Sequence, residues 1–189
     1  MFPICEIRIR DLLSGYPEWR EREGRIFGVS DPEEPEDHSL IFVKNVLAEE
    51  ACKVKECIFV TGKDTDLILN PSCVQLKCEY PKNLYGELLE RLKTFLPCTE
   101  QYMEGGSIFS KDVRIGEDVQ IGPFCVIGRD VVIGAGTRIG AGTVIGDHVR
   151  IGRDVQIREK CLVGVEDADI YRTEDGACRT LPHLAGTVI

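Results

Sequence analysis

The sequence predicts a left-handed parallel β-helix, built from hexapeptide repeats and preceded by a small α/β domain. Three observations lead there. An aliphatic residue recurs every six positions at Ile115, Ile121, Ile127, Ile133, Ile139, Ile145, Ile151, Ile157 and Val163. Glycine follows the first seven directly, from Gly116 to Gly152. Two positions before each aliphatic stands a small or β-branched residue: Val113, Val119, Cys125, Val131, Thr137, Thr143, Val149, Val155 or Cys161.

A period of six fits neither an α-helix, which needs 3.6, nor a lone strand, which needs 2. It fits a coil with three flat faces, in which each hexad supplies one short strand and one corner. The aliphatic and the smaller residue before it point inward. The glycine is expected to give the backbone freedom where the chain leaves the strand. Three hexads close a turn, so these repeats make about three turns, stacked ~4.8 Å apart in parallel ladders. The left hand is a known property of this repeat, an exception to the right-handed crossover rule, and does not follow from the residues. Each inward Ile contributes up to about 1.5–3 kcal/mol by burial. So short a column has exposed ends, which caps or neighbouring subunits usually cover.

Residues 1–98 lack the repeat and read as a small α/β domain. Cys5 to Leu13 predicts a helix stopped at Ser14-Gly15. Asp31 to Asp37 is an acidic loop. Leu40 to Val43 and Cys57 to Val60 predict buried strands, with a short helix from Val46 to Cys52 between them. Val74 to Cys78 alternates like a strand, and Leu84 to Leu92 carries apolar residues at helical spacing. Residues 99–107 are a linker. Residues 108–189 form the column, with a polar excursion at 165–186. Gly186-Thr187-Val188-Ile189 resumes the column, and the sequence stops there in mid-strand. The chain therefore reads as the front part of a longer β-helix, truncated at its C-terminus.

The formal net charge is -9, with the acidic residues dispersed. That argues against nucleic acid and anionic membrane surfaces as partners. No apolar run approaches the ~18 residues of a transmembrane span. No signal peptide is visible, so a cytoplasmic location is expected. Nine cysteines are scattered without a Cys-x-x-Cys pair, which suits reduced thiols used as small core residues.

Several segments resemble one family, the UDP-3-O-acylglucosamine N-acyltransferases of lipid A synthesis. Gly28-Val29 followed by Ser39-Leu40-Ile41-Phe42-Val43-Lys44-Asn45 is similar to the family's uridine-binding segment. Tyr80-Pro81-Lys82-Asn83-Leu84-Tyr85 resembles the segment that opens that domain's last helix. Tyr171, Gly176 and Leu181-Pro182-His183-Leu184 stand at the spacing of the family's Gly-Tyr loop and Ile-Pro-Gln-Leu stretch.

The resemblance implies a homotrimer with its sites between neighbouring columns. It implies transfer of an acyl group from acyl carrier protein, the acyl donor, to the amine of a UDP-sugar, with neither cofactor nor metal. A histidine acts as general base, and backbone amides hold the oxyanion. On this resemblance Phe42 stacks on uracil, Asn45 bonds its edge, and Tyr171 and His183 contact substrate. The sequence also departs from the family. Val46-Leu47-Ala48 replaces Pro-Lys-Tyr, so the second aromatic of the uracil clamp is lost. Asp167-Ala168-Asp169-Ile170 replaces the Gly-Phe-Gly part of the excursion. The family's catalytic histidine and its carrier-binding helices fall beyond Ile189. No catalytic residue is therefore assigned, and this chain alone is expected to be inactive.

Each candidate has a plainer reading. Phe42 sits in an apolar run and suits a core. Asn45 suits a helix cap. Tyr171 could cover the column's open end. His38 belongs to a solvated loop, and the phase of His148 points outward from the column. Gly134-Ala135-Gly136 lies within the repeat and opens no helix, which excludes a nucleotide cradle. A zinc site of the γ-carbonic-anhydrase kind needs three histidines on neighbouring coils, and only His148 lies in the repeats. The alternative to an acyltransferase is a non-catalytic binding or oligomerisation module derived from the same family.

Overall fold

The computed structural model describes residues 6–19, 21–44, 53–96, 100–165, 169–173, 176–182, 184 and 186–189. The chain divides into two compact units. One comprises Met1–Leu96 with Ala168–Pro182, the other Pro97–Asp167 with His183–Ile189.

The first unit begins with β1 (Ile7–Arg8) and a single-turn α1 (Ile9–Leu12). The helix expected from Cys5 is thus shorter: Ile7 and Arg8 are extended and pair antiparallel with β2 (Arg25–Ile26). β3 (Gly28–Val29), β4 (Ser39–Phe42), β5 (Ile58–Gly62) and β6 (Val74–Cys78) form a parallel sheet in sequential order. Parallel strands are covered on both faces, so they read as continuous apolar runs. Leu40, Ile41, Ile58, Phe59 and Val60 are fully buried. One face packs Ile41, Val43, Cys57 and Phe59 with Val54, under Leu67 and Leu69. The helix expected between β4 and β5 lies outside the described residues.

After β6 comes α2 (Pro81–Thr94), started by a proline in its first turn and buried through Leu88, Leu89 and Leu92. Pro suits that position because its missing N–H has no partner there anyway. Arg91 and Lys93 lie in the last turn, where the helix dipole favours cations. Arg91 Nη1 donates to the Leu12 carbonyl at 3.1 Å, satisfying the last residue of α1.

The second unit is the column. It begins with a hairpin, β7 (Gln101–Glu104) and β8 (Ser107–Ser110), so much of the expected linker is strand. Short strands follow at every hexad: β9 (Arg114–Ile115), β10 (Gln120–Ile121), β11 (Val126–Ile127), β12 (Val132–Ile133), β13 (Arg138–Ile139), β14 (Val144–Ile145), β15 (Val149–Ile151), β16 (Gln156–Ile157) and β17 (Leu162–Val163). They stack on three faces in the orders β7-β8-β11-β14-β17, β9-β12-β15 and β10-β13-β16. Apart from the β7 hairpin, every pairing is parallel and one turn apart. The aliphatics line the axis. Ile127, Ile133 and Ile145 are sealed, whereas Ile115 at the first turn is 44% exposed.

The hexad glycines do a different job from the one expected. None from Gly116 to Gly152 has a left-handed φ, apart from Gly136 and Gly142, which are not the glycines that follow the aliphatics. A Cβ on Gly122 would lie 2.6 Å from the Ala141 nitrogen, and one on Gly134 would lie 2.4 Å from the Gly152 oxygen. Glycine is needed there because the next coil passes too close for a side chain. The left-handed residues sit two positions further on, again every six: Asp118, Phe124, Asp130, Gly136, Gly142, His148, Asp154 and Lys160. These residues turn the corners, and from Gly136 onward their amides bond the preceding coil, as from Gly136 to the Glu117 carbonyl at 2.9 Å.

Inward polar residues are satisfied by the coil itself. Thr137 Oγ1 donates to the Gly152 carbonyl and Thr143 Oγ1 to the Arg158 carbonyl, both at 2.9 Å. A buried hydroxyl without such a partner would cost about 1–3 kcal/mol.

The excursion carries an antiparallel hairpin, β18 (Ile170–Arg172) with β19 (Cys178–Thr180). It belongs to the first unit. β20 (Thr187–Val188) then pairs parallel with β15. Among the described residues no helix is long and apolar enough to cross a membrane.

Candidate functional site

Phe42 closes β4 at its carboxyl end, the side of a parallel α/β sheet where ligands commonly bind. Its ring stacks on Tyr85 of α2, with centroids 5.3 Å apart and planes 24° from parallel. Phe42 is half-buried. It is therefore neither a sealed core residue nor a free platform: Tyr85 supports one face of it. Burial pushes the Tyr85 hydroxyl above the ordinary tyrosine value, and the charge of Asp31 adds to this. Tyr85 is thus a neutral ring wedged beneath Phe42. The β6–α2 junction also borders a cleft of about 460 Å³, lined among others by Tyr16, Trp19, Tyr80, Asn83 and Glu87.

Tyr171 lies on β18 and is 4% exposed. Its ring fills the space above Gly86 of α2. A Cβ on Gly86 would come within 2.7 Å of Tyr171 Cε1. The hairpin is tied to the same helix by an ion pair from Lys82 to Asp169 and a hydrogen bond from Asn83 Nδ2 to the Arg172 carbonyl. The Tyr171 hydroxyl is buried with no partner among the described residues. Asn45 and His183 lie outside the described residues, so only Phe42 and Tyr171 of the expected contacts can be located. Both pack against α2, on neighbouring residues Tyr85 and Gly86.

On the column, His148 contradicts its expected outward phase: it is 5% exposed. As a corner residue with φ 60° its side chain folds over the coil instead of following the strand alternation. His148 Nδ1 lies 3.3 Å from Asp130 Oδ2, one turn below. The same carboxylate accepts from Arg150 Nη2 at 2.6 Å and from Arg114 Nη2 at 3.1 Å. Burial alone would raise the Asp130 carboxyl, but the hydrogen bonds from Arg150 and His148 outweigh it and hold the group below the ordinary value. His148 Nε2 is sealed and has no partner among the described residues. Sequence reasoning missed this cluster. The signal was the 18-residue step from Asp130 to His148, which also links Arg129 to Asp147.

The column's repeat is shared with known transferases. Residues 112–147 match the family described as "Bacterial transferase hexapeptide (six repeats)". With stacked parallel strands on three faces, that repeat fits a left-handed β-helix, and it supports a transferase of the acyltransferase-like hexapeptide kind. Among solved structures, the chain is similar to a serine acetyltransferase isoform 3 from Entamoeba histolytica, in complex with cysteine, at 21% identity over 48% of this chain, with a TM-score of 0.11. This chain spans 43% of that one's length. No curated protein matches it significantly.

Proposed function

We propose that this protein is part of a nucleotide-sugar acyltransferase that moves an acyl group from acyl carrier protein to the amine of a UDP-sugar. The observation carrying the nucleotide assignment is the half-buried Phe42 ring, held flat by Tyr85 at the carboxyl end of β4. A base stacked on such a ring gains about 1–3 kcal/mol. The repeat over residues 112–147 supports the transferase part. In the reaction the amine attacks the thioester carbonyl, a base takes its proton, and the carrier thiolate leaves. A homotrimer places such sites between columns and covers their apolar flanks.

A second reading is a non-catalytic binding or oligomerisation module. It is favoured by His148, whose Nε2 is sealed and so cannot reach a substrate amine as placed. Calorimetric titration with UDP-N-acetylglucosamine tests the nucleotide assignment. Binding is expected, weakened about tenfold in Phe42→Ala, in line with one lost stack. Absence of heat at millimolar ligand with folded protein defeats it. Incubation with acyl-loaded carrier protein and the same UDP-sugar, read by mass spectrometry, separates enzyme from module.

A further inference from the structure

Four arginines surround one cleft in a chain whose net charge is -9. The cleft, of about 800 Å³, lies in the first unit at the amino ends of β4, β5 and β6. Phe42 stands at the opposite end of β4, so this is a different place from the proposed nucleotide platform. Arg8, Arg10, Arg22 and Arg25 line it against two carboxylates, Glu23 and Glu56. The lining residues set four guanidinium groups against two carboxylates, with Asp11 and Glu6 paired to Arg8 and Arg25 beside them.

Three of the four arginines have partners. Arg22 Nη2 donates to the Pro71 and Cys73 carbonyls ahead of β6. Arg25 pairs with Glu6, and its backbone N–H donates to Glu56 Oε2 at 3.1 Å. Arg8 holds Asp11 at 2.7 Å. Arg10 makes no hydrogen bond or ion pair among the described residues, so its whole guanidinium is available to the cleft. A guanidinium presents a planar fork of donors that matches phosphoryl and carboxylate oxygens.

The backbone is also unusual here. Eight described residues other than glycine have a left-handed φ, and six of them turn the column's corners. The other two are His38, at 60°, and Glu56, at 53°, and both line this cleft. Backbone strain of this kind collects at functional sites. Gly24, at φ 121°, completes the set: a Cβ there would meet Ile9 Cδ1 at 2.9 Å and Glu56 Oε2 at 3.1 Å. His38 Nδ1 lies 3.1 Å from the Arg25 carbonyl and 3.4 Å from Glu56 Oε2, so the ring braces the segment that carries Arg25.

We infer that this cleft binds a compact, multiply charged oxyanion of about diphosphate size. The Arg10 guanidinium, unpaired among the described residues, sets the sign, the arginine forks set the oxygen chemistry, and His38 is the one aromatic ring lining the cleft among the described residues, which points away from a ligand held mainly by stacking. Calorimetry with inorganic pyrophosphate at low ionic strength is the test. Saturable binding is expected, at least tenfold weaker in Arg10→Ala and in Arg8→Ala, while Arg138→Ala on the column leaves it unchanged. Each variant is checked for folding by circular dichroism. No heat at millimolar pyrophosphate overturns the inference. So does equal weakening by Arg138→Ala, which marks diffuse charge attraction, or equal heat from acetate. Phe42→Ala should retain pyrophosphate binding, so failure here is distinct from failure of the nucleotide assignment.

Discussion

The column and the first unit bury similar apolar residues by different means. In the column, the strands of each coil pair with those one turn above and below. Its inward hydroxyls, corner amides and glycines all answer to a neighbour one turn away. In the first unit, Phe59 and Ile41 are enclosed by segments distant in sequence, and α2 must dock for the sheet to close. The lesson is that position along the column decides what a residue is worth, whereas in the first unit depth decides it.

The sharpest way to break this comparison is to empty each core. Phe59→Ala should cost about 3–5 kcal/mol, and Ile133→Ala about 2–5 kcal/mol, in urea unfolding. Ile115→Ala, the same change at the exposed end, should cost about 1 kcal/mol or less, because little apolar surface is lost. Equal losses for Ile133 and Ile115 would contradict a column whose stability is graded from end to middle.

A smaller effect tests the hairpin's seat on the first unit. Gly86→Ala forces a methyl against the Tyr171 ring and should cost about 1–3 kcal/mol. Tyr171→Leu in the same chain should recover part of that loss, giving a non-additive cycle in thermal melts. Strict additivity would mean the two residues do not share a packing site.

The smallest effect is electrostatic and belongs to the column. Asp130→Asn should cost about 1–2 kcal/mol at neutral pH, since the carboxylate serves His148, Arg150 and Arg114. The Asp130 carboxyl is held low in the folded state, so its contribution is present above the ordinary aspartate value of about 4. The contribution is lost as pH falls through the lowered folded value. The difference between the two proteins should therefore shrink in acid. A difference that grew on acidification would refute the sign.

The column's faces were legible because a six-residue period leaves few alternatives. The reason for its glycines was not, because clearance depends on a coil 18 residues away and not on the local backbone. The corners were harder still. Asp118, Phe124, His148 and Lys160 share a left-handed φ but no side-chain chemistry, although the aspartates and glycines among the corner residues tolerate that conformation well. In the first unit, β6 and α2 followed from alternation and helical spacing. The strand at Ile7–Arg8 did not, since its partner is set by a turn that brings back Arg25–Ile26. Phe42 stands out only through the resemblance of its segment to a uridine-binding one, since its apolar neighbours suit a core, and its support, Tyr85, is visible only with α2 laid against the sheet.

One feature of the coil bears on how such proteins diversify. Thr187 sits beside Val149, the place that the repeat's own step would give to residue 167. A whole hairpin leaves at one corner and the chain returns in register. Corners of this column are therefore sockets: extra chain can be spliced in without changing the pitch of the stack. Grafting a foreign loop between Val165 and Gly186, or lengthening the present one, leaves the strands below untouched. The column can thus keep its architecture while its attachments change.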